Sequence, residues 1–140
     1  MDSKDVSSIA IIPQFYAGRE VFITGATGFI GKVLVERLLS TCPDIGRLHL
    51  LMRVKRGEAP EARLQKLKES PVFDVLRNDY PDRLNKLSPI TGDINKLNLG
   101  FTEKTIADLN NVRLILFLLT NRLITMIKIT LLTQKTEKET

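Results

Sequence analysis

Residues 20–31, EVFITGATGFIG, decide how the chain is read. An apolar, β-branched run, Glu20–Thr24, passes into three evenly spaced glycines, Gly25, Gly28 and Gly31, and then into a segment with helical periodicity. Strand, tight turn and helix N-terminus in that order form the phosphate-binding corner of α/β proteins. The first glycine permits the turn at the strand end. The second leaves room for a pyrophosphate to approach the backbone, and the third lets the helix pack close to the sheet. Free N–H groups at the helix start, around Phe29 and Ile30, together with the helix dipole, are expected to hold the anion. Three glycines alone are weak evidence, but here they follow a predicted strand and open a predicted helix. A nucleoside-triphosphate P-loop fails on spacing. Five residues separate Gly25 from Gly31 where four are needed, and Val33 follows Lys32 where that motif has Ser or Thr.

Outward from this corner, the periodicity predicts a helix over Phe29–Thr41. Ile30, Val33, Leu34 and Leu38 are expected on its buried face, with Lys32, Glu36 and Ser40 away from it and Lys32–Glu36 an i,i+4 pair. Cys42 to Gly46 ends the helix. Arg47–Arg53 reads as a second strand, Pro60 to Glu69 as a helix opened by proline, and Val72–Asn78 as a short helical piece. Leu87–Thr91 reads as a third strand, 97–100 as a loop, and Thr102–Leu109 as a helix capped by Thr102. Val112–Leu119 is a fourth strand candidate. Upstream, Ile9–Ile12 with Pro13 and Phe15-Tyr16 reads as a short apolar lead-in against the first strand, and residues 1–14 as a flexible leader that begins acidic and polar, MDSKDVSS. The order β-α-β-α-β-α-β predicts an α/β fold: a partial Rossmann (doubly wound) parallel sheet of the first three to four βα units, spanning 15–119. An irregular tail, 120–140, follows, and the open edge beyond the fourth strand favours association.

Composition agrees with one domain and bounds its partners. The chain has 140 residues, 43% apolar and 26% charged, with a net charge of +5 that is spread rather than clustered. No basic run with interleaved aromatics points to nucleic acid. The single cysteine, Cys42, supplies neither a disulfide nor a Cys-based zinc site, and His49, inside an apolar strand, reads as structural, so no metal site is expected. The start, MDSKDVSS, lacks the pattern of a signal peptide. Arg113, Arg122 and Lys128 interrupt any run of the about 20 apolar residues a spanning helix needs, so no transmembrane segment is expected.

The end of the second strand bears on the cofactor. An acid there would take the ribose 2′-hydroxyl of NAD, whereas arginine accommodates a 2′-phosphate. This chain has Arg53, then Lys55 and Arg56, and no acid before Glu58, which predicts NADPH. Lys55 and Arg56 serve equally well as a solvated loop. Asp93, closing the third strand, stands either beside the adenine cleft or in a turn-forming Gly-Asp pair.

The stretch TGATGFIG, Thr24 to Gly31, resembles the cofactor fingerprint of extended short-chain dehydrogenases/reductases. With its flanks, FYAGREVFITGATGFIGKVLVERLLSTCPDIGRLHLLMRVKRGEAPEARLQKL, then SPVFDVLR and ITGDI, it is similar to the N-terminal region of insect-type, alcohol-forming fatty acyl-CoA reductases over about Ile12 to Val112. The resemblance implies NADPH-dependent reduction of a long-chain fatty acyl-CoA to a fatty alcohol, at intracellular membranes of the endoplasmic reticulum or peroxisome. It implies that Thr24, Gly25, Thr27, Gly28, Phe29, Ile30 and Gly31 line the pyrophosphate, that Arg53 takes the 2′-phosphate, and that Asp93 lies on the adenine side. It also exposes departures. The family's Tyr-x-x-x-Lys pair, in which lysine lowers the tyrosine pKa for proton donation, has no counterpart. Tyr16 and Tyr80 are the only tyrosines, and Glu20 and Leu84 stand four residues after them. No catalytic residue is therefore assigned. The family pattern stops near Val112; Pro89 is the last proline, Gly100 the last glycine and Asp108 the last acid before Glu137. The expectation is a truncated or mis-spliced product holding only the cofactor-binding half, inactive alone. The alternative is a non-catalytic NADPH-binding or interaction module. A different extended reductase or epimerase is disfavoured by the residues after Arg53.

Overall fold

The computed structural model describes residues 11–54, 56–93, 95–109 and 112–117. Its centre is a four-stranded, wholly parallel sheet in the order β3-β2-β1-β4, with β1 Glu20–Thr24, β2 Leu48–Met52, β3 Leu87–Thr91 and β4 Val112–Phe117. Beyond a helical stretch at residues 11–16, the helices are α1 Phe29–Thr41, α2 Pro60–Lys68, α3 Asp74–Asp79 and α4 Glu103–Asp108, with short 3-10 stretches at Pro71–Phe73, Pro81–Lys86 and Leu97–Gly100. The expected α/β alternation is therefore present. The 97–100 loop is itself 3-10 with left-handed residues, and strand two is shorter at each end than the sequence suggested. The expected irregular tail lies outside the described residues.

Period-two alternation of the strands builds a core on each face of the sheet. Val21 and Ile23 of β1, Leu48, Leu50 and Met52 of β2, and Leu87 of β3 pack against Val35, Leu38, Leu39, Leu64, Leu67, Phe73 and Leu76 of the helical layer. Phe22, on the alternate face of β1, packs with Leu99, Leu51, Ile90, Phe101, Leu109 and Val112. Both faces are covered because parallel strands need crossovers, and the crossovers place helices over the sheet. Pro89 sits in β3, an edge strand among the described residues, where its missing N–H breaks no ladder.

The buried face of α1 differs from expectation. Gly31, Val35, Glu36, Leu38 and Leu39 are buried, whereas Ile30 and Val33 are exposed and Leu34 is half-buried. The helix must bring Gly31 onto the turn, and that contact sets its rotation; the hydrophobic count along the helix does not. Glu36 is consequently enclosed. It accepts two hydrogen bonds from the Arg37 guanidinium (2.7 and 2.9 Å) and one from the Ser40 hydroxyl (2.7 Å), so no Lys32 pair forms. The Arg37 hydrogen bonds lower the Glu36 pKa against the opposing effect of burial.

Cations hold the carboxyl ends of the helices. Arg83 donates to Leu39 O and Ser40 O at the end of α1, and Lys86 to Pro43 O and Ile45 O just beyond. Arg77 does the same for Lys68 O and Ser70 O after α2. These positions suit positive charge because the terminal carbonyls are otherwise unpaired. The lead-in behaves differently from expectation: residues 11–16 are helical, Ile11, Ile12 and Phe15 are exposed, and only Tyr16 reaches the core.

Candidate functional site

The carboxyl ends of the strands form one edge, and the sheet order reverses between β1 and β4 at this edge. A crevice outside the strand ends at such a reversal is where open α/β sheets bind ligands. The glycine corner occupies it. Gly25 has φ +74°, a left-handed conformation that a side chain strains. A Cβ on Gly31 would stand 2.0 Å from Gly25 O and 2.7 Å from Ala26 Cα, so turn and helix meet with no space for one.

Gly28 is different. It caps α1 with φ −75° and ψ 169°, angles open to any residue, and a Cβ there would meet only Gly25 O, at 3.5 Å. Neither backbone conformation nor internal packing demands glycine at 28. The position is exposed, and the space where a methyl would stand is open to an approaching group. The first helical bond runs from Lys32 N to Gly28 O (2.9 Å), so the N–H groups of Phe29, Ile30 and Gly31 have no acceptor within the helix. No side chain caps them and no acid lies in the first turn, leaving the positive end of a 13-residue helix uncompensated. A pyrophosphate fits this arrangement.

The other predicted residues come to the same edge. Thr27, Gly28, Phe29 and Ile30 are exposed, with Phe29 84% exposed. Thr24 departs from the expected lining: it is 1% exposed, and its Oγ1 is enclosed without a hydrogen-bond partner among the described residues. Arg53 is exposed immediately after β2, one strand from the corner, and Asp93 follows β3, two strands away. At strand spacings near 4.8 Å, Asp93 stands on the order of 10 Å to the side of β1. Asp93 Oδ1 accepts from Asn95 N (2.9 Å), so the turn role is realised, while the half-buried residue remains at the ligand edge. Arg56 is exposed with φ +52°; Lys55 lies outside the described residues.

Sequence reading missed the contribution of α2. Beside Thr27, a depression of about 160 Å³ is lined by Lys32, Glu58, Arg63, Lys66 and Leu67. Arg63 Nη1 donates to Arg53 O at 2.6 Å, fixing the chain after β2 while holding a second guanidinium beside the glycine turn. The only available signal was the placement of Arg63 and Lys66 three residues apart, on one helix face.

His49 lies far from this edge in character as well as place. It is 6% exposed, its Nε2 is 3.7 Å from Glu20 Oε2, and neither ring nitrogen has a hydrogen-bond partner among the described residues. Burial lowers its pKa against the opposing effect of Glu20 and Asp108. Neither tyrosine approaches the corner as a proton donor. Tyr16 packs against the core, and Tyr80 lies under Arg83 (4.0 Å), which binds the carboxyl end of α1. At about 1.5 Å per residue, α1 separates that end from its N-terminus by about 20 Å.

Comparison with known proteins supplies the lineage. The NAD-binding family described as "Male sterility protein" matches residues 23–117. The Drosophila melanogaster protein CG8306, provisionally named a fatty acyl-CoA reductase, is 49% identical over 94 residues, covering 66% of this chain and 18% of that protein. Fatty acyl-CoA reductase 1 of Gallus gallus is 42% identical over 91 residues, 65% of this chain and 18% of that protein. The chain thus spans less than a fifth of the length of these two relatives. Among solved structures, the terminal R domain from the myxalamid PKS-NRPS biosynthetic pathway superposes with a TM-score of 0.64 at 22% identity, covering 86% of this chain and 33% of that one. The reductase domain of a non-ribosomal peptide synthetase from Mycobacterium tuberculosis gives 0.56 at 27% identity, covering 85% and 28%.

Proposed function

The chain belongs to the male sterility protein family of NAD-binding domains, and from that premise we propose that it holds NADPH at its glycine corner, as the cofactor-binding part of a long-chain fatty acyl-CoA reductase. The observation that carries this reading is Gly28, a glycine that neither its backbone angles nor internal packing requires. In the proposed arrangement the N–H groups of Phe29, Ile30 and Gly31 receive the pyrophosphate. The exposed backbone of Gly25, Thr27 and Gly28 shapes the approach, and Thr24 supports the turn from beneath. Arg53 and Arg63 take the 2′-phosphate of the adenosine ribose, the guanidinium pair favouring NADPH over NADH. Asp93 borders the adenine side, and the unit doing this work spans residues 15–119.

The nicotinamide supplies a hydride for carbonyl reduction. This chain orients the nucleotide and presents its charge-compensating groups, while Tyr16 and Tyr80 are both placed away from the corner. The second reading is a non-catalytic NADPH-binding or interaction module. Two measurements on the full chain separate the readings. NADPH at 100 times its Kd should stabilise the protein by about 2.7 kcal/mol; absence of any thermal shift would refute cofactor binding. NADPH oxidation with a long-chain acyl-CoA should show no turnover. Fatty alcohol product would instead establish the catalytic reading for this chain.

A further inference from the structure

We propose that the Glu58–Lys66 ion pair sets the nucleotide preference of the depression beside the glycine corner, an inference that rests on the 2′-phosphate reading above. The depression contains three cationic side chains, Lys32, Arg63 and Lys66, and one acid, Glu58. In sequence Glu58 stands five residues beyond Arg53, too far to be read as the acid that ends strand two. The fold brings it back: Pro60 opens α2 and directs the chain so that Glu58 lines the same hollow as Thr27.

An acid in this position has a defined consequence. A free carboxylate accepts from a ribose 2′-hydroxyl and repels a 2′-phosphate, the behaviour of an NAD-selective site. Here Glu58 Oε1 lies 2.6 Å from Lys66 Nζ, with the side chains 30% and 71% exposed. A pair this exposed adds little to stability. Its effect is on the charge the nucleotide meets. Lys66 occupies the carboxylate and cancels its field, leaving Lys32 and Arg63 to dominate, while Arg63 is held in place by its bond to Arg53 O. Lys66 thereby acts on preference through Glu58.

The test is a double-mutant cycle on the full 140-residue chain, measuring Kd for NADPH and NADH at low ionic strength. Lys66→Met should lower the NADPH-over-NADH preference by about fivefold, the scale of one uncompensated charge acting across water on a phosphate dianion. Lys66→Arg should restore it. Adding Glu58→Gln to Lys66→Met should return the preference to within about twofold of wild type, because the hollow then carries the same net charge as with the intact pair. Melting temperatures of the variants check that each is folded. A wild-type preference left intact by Lys66→Met, or a preference that Glu58→Gln fails to restore in the Lys66→Met protein, would overturn the proposal and leave the 2′-phosphate reading standing. Equal wild-type affinity for both nucleotides would overturn that reading and the proposal with it.

Discussion

Two glycines of the corner can be separated by alanine substitution, because the structure assigns Gly28 and Gly31 different constraints. At Gly31 the new methyl would overlap Gly25 O at 2.0 Å and crowd Ala26 Cα and Gly25 C at 2.7 Å, all backbone atoms that no side-chain rotation can clear. Overpacking of this kind costs about 1–3 kcal/mol or more. Alanine recovers roughly 1 kcal/mol of helix propensity over glycine. With contacts at the severe end, the net for Gly31→Ala is a loss of about 2 kcal/mol, or a fall in Tm of roughly 6–8 °C for a domain of this size. At Gly28 the methyl has ordinary contact at 3.5 Å and compatible backbone angles, so Gly28→Ala should keep its stability within about 1 kcal/mol. It should nevertheless weaken NADPH by more than about tenfold, because the methyl stands where a phosphate must approach the N–H groups. Thermal melts with and without NADPH read both effects. A Gly28→Ala protein with a wild-type NADPH shift would refute the argument that Gly28 is reserved for a ligand. A wild-type melting temperature for Gly31→Ala would refute the close-packing argument.

Other perturbations probe separate parts. Arg53→Glu should invert the nucleotide preference toward NADH, read by titration with both; an unchanged preference would remove Arg53 from the 2′-phosphate site. The folded-state pKa of His49 is lowered from 6.5 by burial, so the unfolded chain protonates first. Stability should therefore fall as pH drops below about 6.5 and level off once the folded protein also protonates. Denaturant titrations of His49→Phe should lack this component. Thr102→Ala removes the hydroxyl that accepts from Thr105 N at 3.2 Å and should cost about 1 kcal/mol, measured by urea unfolding. A cost near zero would mean that α4 holds through its packing alone.

Much of the fold was legible because its signals are local. Apolar runs of five or six residues, a glycine turn, the proline at the start of α2 and the threonine cap of α4 act over one or two turns of chain, and each is found where the sequence places it. Where expectation and structure part, a contact distant in sequence intervenes. The rotation of α1 follows the meeting of Gly31 with Gly25, so Val33 faces out and Glu36 in, contrary to the hydrophobic count. The 3-10 stretch at Pro81–Lys86 is fixed by Arg83 and Lys86 reaching carbonyls more than 40 residues back, which no local pattern reports.

The candidate site divides in the same way. Sequence alone determined the glycine corner, the order of strands and helices, Arg53 at the end of strand two and the absence of a Tyr-x-x-x-Lys pair, because each depends on residue type and spacing along the chain. Only the tertiary structure decided that Gly28 is free of internal constraint, that Thr24 is enclosed, and that Glu58, Arg63 and Lys66 share a hollow with Thr27. Burial and juxtaposition across a parallel crossover are properties of the packed sheet and helices. They arise only when segments 30 or more residues apart, such as Thr27 and Arg63, are brought side by side.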